Sequence, residues 1–167
     1  MNPKNQWNDK LTHAYNKYAD TLYRIALTNT CNREDAEDAC QDVFIKYACS
    51  DMVFKDDEHE KAWLIRVLIN HCRDLIRKHK VRTHLSLDEI ENVIADPHKR
   101  DDYLELTRAL ESLSPKYREL IILHYLEGFS TEECASILKI TVSAVKMRLM
   151  RGKEMIRTEI SKEEENA

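Results

Sequence analysis

Lys146, Arg148, Arg151 and Lys153 fall close together, interleaved with Met147 and Met150. Side chains of these types suit one kind of chemistry. Lysine and arginine bond guanine acceptors and phosphate oxygens, and a methionine can touch a thymine methyl. A second set, Trp63, Arg66, Asn70, Arg73 and Arg77, recurs at steps of three or four. Arginines hold phosphates, an asparagine hydrogen-bonds a base edge, and an aromatic ring stacks on an unpaired base. A lone tryptophan is more often core, so Trp63 carries a packing reading beside the stacking one. His71, Cys72 and His79 do not complete a ligand set, and neither a metal nor a cofactor is expected.

The elements that position these groups are helices. Ser130 with Glu133 three residues on forms a capping box, and Ala135, Ile137, Leu138 and Ile140 make a short apolar seam. Thr141 is placed to cap the next helix, in which Val142, Val145 and Leu149 point one way. Two helices joined this way form a helix-turn-helix, whose second helix enters the DNA major groove.

Upstream, Leu11, Ala14, Tyr15, Tyr18, Leu22, Ile25 and Ala26 predict a first helix from about Asn8 to Thr28. Asn32 caps a second helix that turns Ala36, Ala39, Cys40, Val43, Phe44 and Tyr47 inward, with Glu34, Glu37, Asp38, Gln41 and Asp42 toward the other face. A polar loop, Ser50 to Glu58, precedes a third helix, His59 to His79, with a core stripe of Ile65, Leu68, Ile69, Cys72, Leu75 and Ile76. Trp63, Arg66, Asn70, Arg73 and Arg77 then share its exposed face. The pattern weakens around Pro97, with a short helical turn near Leu87 to Val93, and resumes from Arg100 to Ser112. Ser114-Pro115 supplies a cap and a first-turn proline for a helix ending at Gly128.

With 167 residues, 43% of them hydrophobic, and only two glycines and three prolines, the chain should be all-α. The expected division is two small helical domains, 1–80 and 101–167, joined by a flexible linker, 81–100. No segment resembles a signal peptide or a membrane span. Five cysteines without a Cys-x-x-Cys pair read as reduced thiols, so a cytoplasmic location is expected. The net charge of −4 conceals segregation. Seven basic residues face one acid between Lys61 and Arg82, and six face one between Lys139 and Arg157. Between Glu34 and Glu60, ten acids face Lys46 and Lys55. Such a field draws DNA to two places, and the acidic stretch wants a basic protein surface instead.

DAEDACQDVFIKY (Asp35 to Tyr47), AWLIRVLINHCRDLIRK (Ala62 to Lys78) and the run from Leu113 to Ile156 occur in this order. Together they resemble the small bacterial RNA polymerase sigma factors of the extracytoplasmic-function group. The resemblance implies a non-enzymatic factor that binds core RNA polymerase, directs it to promoter DNA and supports melting. It implies that Asp38, Gln41 and Asp42 contact core polymerase. It implies that the Ser50–Glu58 loop and Trp63, Arg66, Val67, Asn70, Arg73 and Arg77 serve the −10 element. Thr141, Ser143, Lys146, Met147, Arg148, Met150 and Arg151 would serve the −35 element, and an anti-sigma factor would be a further partner, with no small-molecule substrate. Two positions depart from the family pattern: Ala144 stands where threonine is common, and Gly152 where alanine is usual. A stand-alone helix-turn-helix regulator, or a protein-interaction module acting through the acidic helices, are the alternatives.

Overall fold

The structure is a computed structural model and describes residues 3–78 and 108–166. The linker expected at 81–100, its helical turn near 87–93 and most of the resumed periodicity at 100–112 lie outside the described residues. Among the described residues every regular element is helical. They are α1 (Pro3–Thr30), α2 (Arg33–Ala48), α3 (Asp57–Lys78), α4 (Pro115–Ile121), a π-helical segment (Ile122–Leu126), α5 (Thr131–Leu138) and α6 (Val142–Asn166).

Helix α1 runs further than its apolar spacing predicts. Its last turns are knitted by side chains that reach back one turn: Thr28 Oγ1 donates to the Arg24 carbonyl at 2.8 Å, Asn29 Nδ2 to Ile25 at 2.9 Å and Thr30 Oγ1 to Ala26 at 2.9 Å. Cys31, at φ 52°, leaves the helix in the left-handed region, and Asn32 starts α2 at once, its side chain accepting from the Asp35 N–H at 2.9 Å. Tyr15 does not face inward as its spacing suggested; it is 55% exposed.

Glu60 at the start of α3 ties the first three helices together. It accepts from the hydroxyls of Tyr18 on α1 and Tyr47 on α2. Burial first, and Glu60's charge and hydrogen bonds second, push both phenols above their ordinary range.

In the second group, Pro115 occupies the first turn of α4, but the Ser114 side chain makes no cap hydrogen bond. The carbonyl of Ser114 takes that part, accepting from the N–H groups of Tyr117 and Arg118. Instead of continuing as an α-helix to Gly128, the chain widens into the π-segment, and Gly128 at φ 74° makes the turn toward α5.

The two helical groups do not stand apart. Their buried residues, from Ala14 to Cys72 and from Leu110 to Leu149, form one continuous core. Arg118 on α4 is buried where the groups meet. It donates to the carbonyls of Leu110, Glu111 and Leu113 within its own group and to Asn29 at 2.7 Å across the junction. Asn29 is in the last turn of α1, so this buried cation satisfies a carbonyl without an intrahelical partner at the negative end of the helix.

Candidate nucleic-acid and protein interfaces

The helix-turn-helix is built as its residue types predict. Ser130 Oγ accepts from the Glu133 N–H at 3.1 Å, and Glu133 Oε2 accepts from the Ser130 N–H at 2.7 Å, completing the capping box. Lys139 stops α5 at φ 53°, and the Ile140 N–H reaches back to the Ala135 carbonyl at 3.1 Å. Thr141 Oγ1 accepts from the Ala144 N–H at 3.1 Å and starts α6. Val145 and Leu149 are buried, with Val142 packed partly against the same core.

With the buried seam inward, Ser143, Lys146, Met147 and Met150 lie at i, i+3, i+4 and i+7 and all are exposed. Met147 and Met150 keep 50% and 57% of their surface exposed. Thr141 and Arg151 are exposed at the flanks of this stripe. Arg151, beside the Tyr117 phenol, is the main reason that phenol is held below its ordinary range. Arg148 stands apart: at 100° per residue it is about 140° around the helix from Ser143, and it is partly buried.

Gly152 has a structural reason. A Cβ at this position would meet Ile121 Cδ1 and Cγ1 at 3.3 Å and Tyr117 Cβ at 3.6 Å, so the glycine lets α4 cross α6 closely.

The face of α3 is not the open surface that its spacing suggested. Asn70 and Arg77 are exposed, but Trp63, Arg66, Val67 and Arg73 are each partly covered. Trp63 turns toward the core and joins Tyr47 and Phe54, with ring centroids at 6.2 and 5.7 Å. Its indole is therefore a wall of the Ser50–Glu58 loop and not a free stacking platform. Arg66 donates through Nε to the Ile137 carbonyl at 2.9 Å and through Nη2 to Ser136 at 2.8 Å, capping the C-terminus of α5. Arg73 grips Glu119 of α4, with Nε to Oε1 at 2.6 Å. Glu119 is buried, and Arg73 also donates to Asn70 Oδ1 at 3.4 Å. Arg77 pairs with Asp74 on its own helix.

Between α1, the end of α2 and the loop that follows it lies an open pocket of about 360 Å³, bordered by Lys10, Tyr47, Ser50, Met52 and Val53. Lys10 Nζ sits 4.8 Å from the Tyr47 ring centroid, and the buried Ser50 Oγ has no hydrogen-bond partner among the described residues. Val53 is 87% exposed at the loop tip.

On α2, Asp38 and Gln41 are exposed, and Asp42 lies 3.3 Å from His71 of α3. Next to them, Tyr15, Tyr23, Cys40, Phe44 and Ile45 line an apolar groove of about 590 Å³ between α1 and α2. Sequence reasoning missed this groove because Tyr15 follows the spacing of the apolar face of α1, while Ile45 lies off the inward stripe of α2. It also missed Lys10, Glu119 and Glu127, whose roles arise from contacts distant in sequence. Among the described residues no cluster of His, Cys, Asp and Glu suits a metal, and no helix is long and apolar enough to cross a membrane.

These elements match known proteins over most of the chain. Residues 14–82 match the family Sigma-70 region 2, and residues 103–156 match Sigma-70, region 4. The chain is 30% identical over 158 residues to the ECF RNA polymerase sigma factor SigW of Bacillus subtilis, covering 86% of this chain and 84% of that one. It is also 30% identical over 154 residues to the ECF RNA polymerase sigma factor SigE of Mycolicibacterium smegmatis, spanning 60% of that relative's length. A solved structure of the sigma factor RpoE from Bartonella quintana, in complex with the anti-sigma factor NepR, shares the fold at a TM-score of 0.71 and 23% identity, over 91% of this chain and 97% of that one. The chain belongs to the extracytoplasmic-function RNA polymerase sigma factors of the sigma-70 family.

Proposed function

We propose that this chain binds core RNA polymerase, carries it to promoters with defined −10 and −35 elements, and stabilises strand opening, without catalysis of its own. The observation that carries the reading is the exposed stripe Ser143, Lys146, Met147 and Met150 on a fully capped helix-turn-helix. It offers a lysine for guanine acceptors and two methionines for thymine methyls, the groups that a major-groove reader of the −35 element needs. Thr141 and Arg151 flank it for phosphate contact. Arg148 belongs to phosphate positioning at the edge of the groove.

For the −10 element the reading rests on Asn70, Arg66, Val67, Arg73 and Arg77 of α3 together with the loop pocket. The pocket offers a cation at Lys10 and an apolar rim at Met52 and Val53, against which a base turned out of the stack can rest, over a floor that contains the buried Tyr47. Trp63 packs against Tyr47 and Phe54. Asp38, Gln41 and Asp42, with the neighbouring apolar groove, form the docking surface for core polymerase: acids set its charge and Tyr15 and Ile45 provide the apolar contact. The functional division follows 1–80 for core polymerase and the −10 element, 81–100 as linker and 101–167 for the −35 element. The protein acts in the cytoplasm. An anti-sigma factor is its regulatory partner, in keeping with the complex solved for the RpoE neighbour.

Footprinting on a responsive promoter tests this against a stand-alone regulator. The expected result is protection of both elements only when core polymerase is present. Equal protection by the protein alone would favour the stand-alone reading.

A further inference from the structure

Among the described residues His71 belongs to no metal-binding cluster, but its ring meets the acidic side of α2. Its Nδ1 lies 3.3 Å from Asp42 Oδ2 where α3 packs on α2. The imidazole is largely covered, at 18% exposed, whereas the Asp42 side chain keeps 48% of its surface. An ionised carboxylate only accepts hydrogen bonds, so a bond here requires a proton on Nδ1. Lys46 stands one turn beyond Asp42 on α2, at the spacing where a carboxylate and an ammonium pair, yet the partner of Asp42 is His71. His71 also lies about 200° around α3 from Arg73, away from the face assigned to the −10 element.

We propose that His71 is a positioning residue for docking on core polymerase: in its neutral form it donates to Asp42 and holds that carboxylate charged, outward and apart from Lys46. The inference deepens the docking reading of α2 and rests on the assignment of Asp42 to core polymerase.

The physical basis is that a neutral donor orients a charge without cancelling it. A side chain fixed beforehand loses less freedom when its partner arrives. The carboxylate's full negative charge also stays available to a basic surface, whereas an ammonium at Lys46 would offset much of it. Protonation turns the same contact into an ion pair, and the ring then offsets the charge that it had displayed. Docking is therefore strongest where His71 is neutral and weakens as the pH falls and the ring gains its proton. The charged groups on this side of the α2–α3 junction are Asp38, Asp42 and Lys46 of α2 with Asp74 and Lys78 of α3. Asp74 is engaged by Arg77 on its own helix. Aspartate and lysine keep their charge across about pH 6 to 8, so histidine is the member of this set that titrates there.

The test uses the full chain and purified core RNA polymerase, with affinity read from the fluorescence anisotropy of the labelled chain. His71→Asn keeps a neutral donor near the Nδ1 position at every pH, His71→Leu removes it, and Asp42→Asn removes the charge that His71 presents. Circular dichroism melting checks that each variant is folded. At about pH 8, His71→Leu should weaken core binding about fivefold and His71→Asn less than about twofold, and His71→Leu should add nothing in the Asp42→Asn background. Between about pH 8 and pH 6 the parent should lose affinity about threefold or more relative to His71→Asn. Loss of binding in Asp42→Asn with none in His71→Leu would overturn the positioning role. No loss in either variant would overturn the docking assignment of Asp42 itself. A ratio of parent to His71→Asn affinity that stays constant with pH would overturn the neutral-donor mechanism.

Discussion

Arg73 and Glu119 meet edge to edge, Nε to Oε1 at 2.6 Å, with the carboxylate buried and the guanidinium beside the exposed amide of Asn70. Asn70 is thus the one polar group in the row from Arg66 to Arg73 that is both oriented by a neighbour and open to a ligand. Asn70→Ala removes the amide proposed to meet a base edge while leaving the Arg73–Glu119 pair in place. Promoter opening, read as permanganate reactivity of unpaired thymines, should fall about tenfold or more, with binding to the upstream duplex retained.

The two faces of α6 should behave differently. Lys146→Ala and Met150→Ala alter the exposed stripe, so discrimination among −35 sequences should fall by a factor of about five to a hundred for Lys146, where a base acceptor loses its donor. Arg148→Ala should weaken binding to every sequence alike, because the side chain lies around the helix from the stripe. Competition binding of the holoenzyme to a set of −35 variants separates these outcomes.

Arg118 predicts a large stability effect far from any DNA. It is buried and donates to four backbone carbonyls in two helical groups. Arg118→Ala should cost about 3 kcal/mol or more, since the carbonyls of Asn29, Leu110, Glu111 and Leu113 lose a charged donor at once. Arg118→Lys should recover only part, because an ammonium cannot reproduce the planar fork. Thermal and urea unfolding provide the measurement.

Gly152 gives a graded test of the α4–α6 crossing. Gly152→Ala gains about 1 kcal/mol of helix propensity and crowds a flexible end of Ile121, so stability should change by less than about 1 kcal/mol. Gly152→Leu drives a larger side chain between the helices and should destabilise by about 2 kcal/mol or more.

Thiol chemistry should divide the cysteines by environment. Burial, with Glu37 second, pushes the Cys40 thiol up to about 12, and burial, with Glu133 second, pushes Cys134 up to about 11. Raising a thiol's pKa lowers its thiolate fraction at a given pH, and alkylation follows the thiolate. At about pH 8.5, iodoacetamide should modify the exposed Cys49 first, and the Cys40 rate should keep rising with pH well beyond that point. Mass spectrometry of tryptic peptides reads the order.

What could be read from the sequence follows the range of each interaction. Caps and turns are local, so Asn32, the Ser130–Glu133 box and Thr141 could be recognised from spacing alone, and each makes its hydrogen bond. The amphipathic seam of α6 is local too, and fixing Val145 and Leu149 inward placed Lys146, Met147 and Met150 outward. The face of α3 has the periodicity its spacing predicts but not the exposure. Its cover comes from Ser136, Ile137 and Glu119, many residues away, and no local pattern encodes that meeting. Trp63 shows the same limit, since its helical phase fits either solvent or the Tyr47–Phe54 cluster. Gly152 departs from the family pattern for a reason no local pattern encodes, the approach of Ile121.

The central claim is that this chain confers promoter choice on a polymerase that lacks it. Run-off transcription over a genomic promoter library, with purified core polymerase and with or without the protein, tests it directly. Discrete transcripts should appear only when both are present, and their start sites should share two upstream elements at a fixed spacing. Transcription unchanged by the protein, or transcripts whose start sites share no such elements, would contradict it.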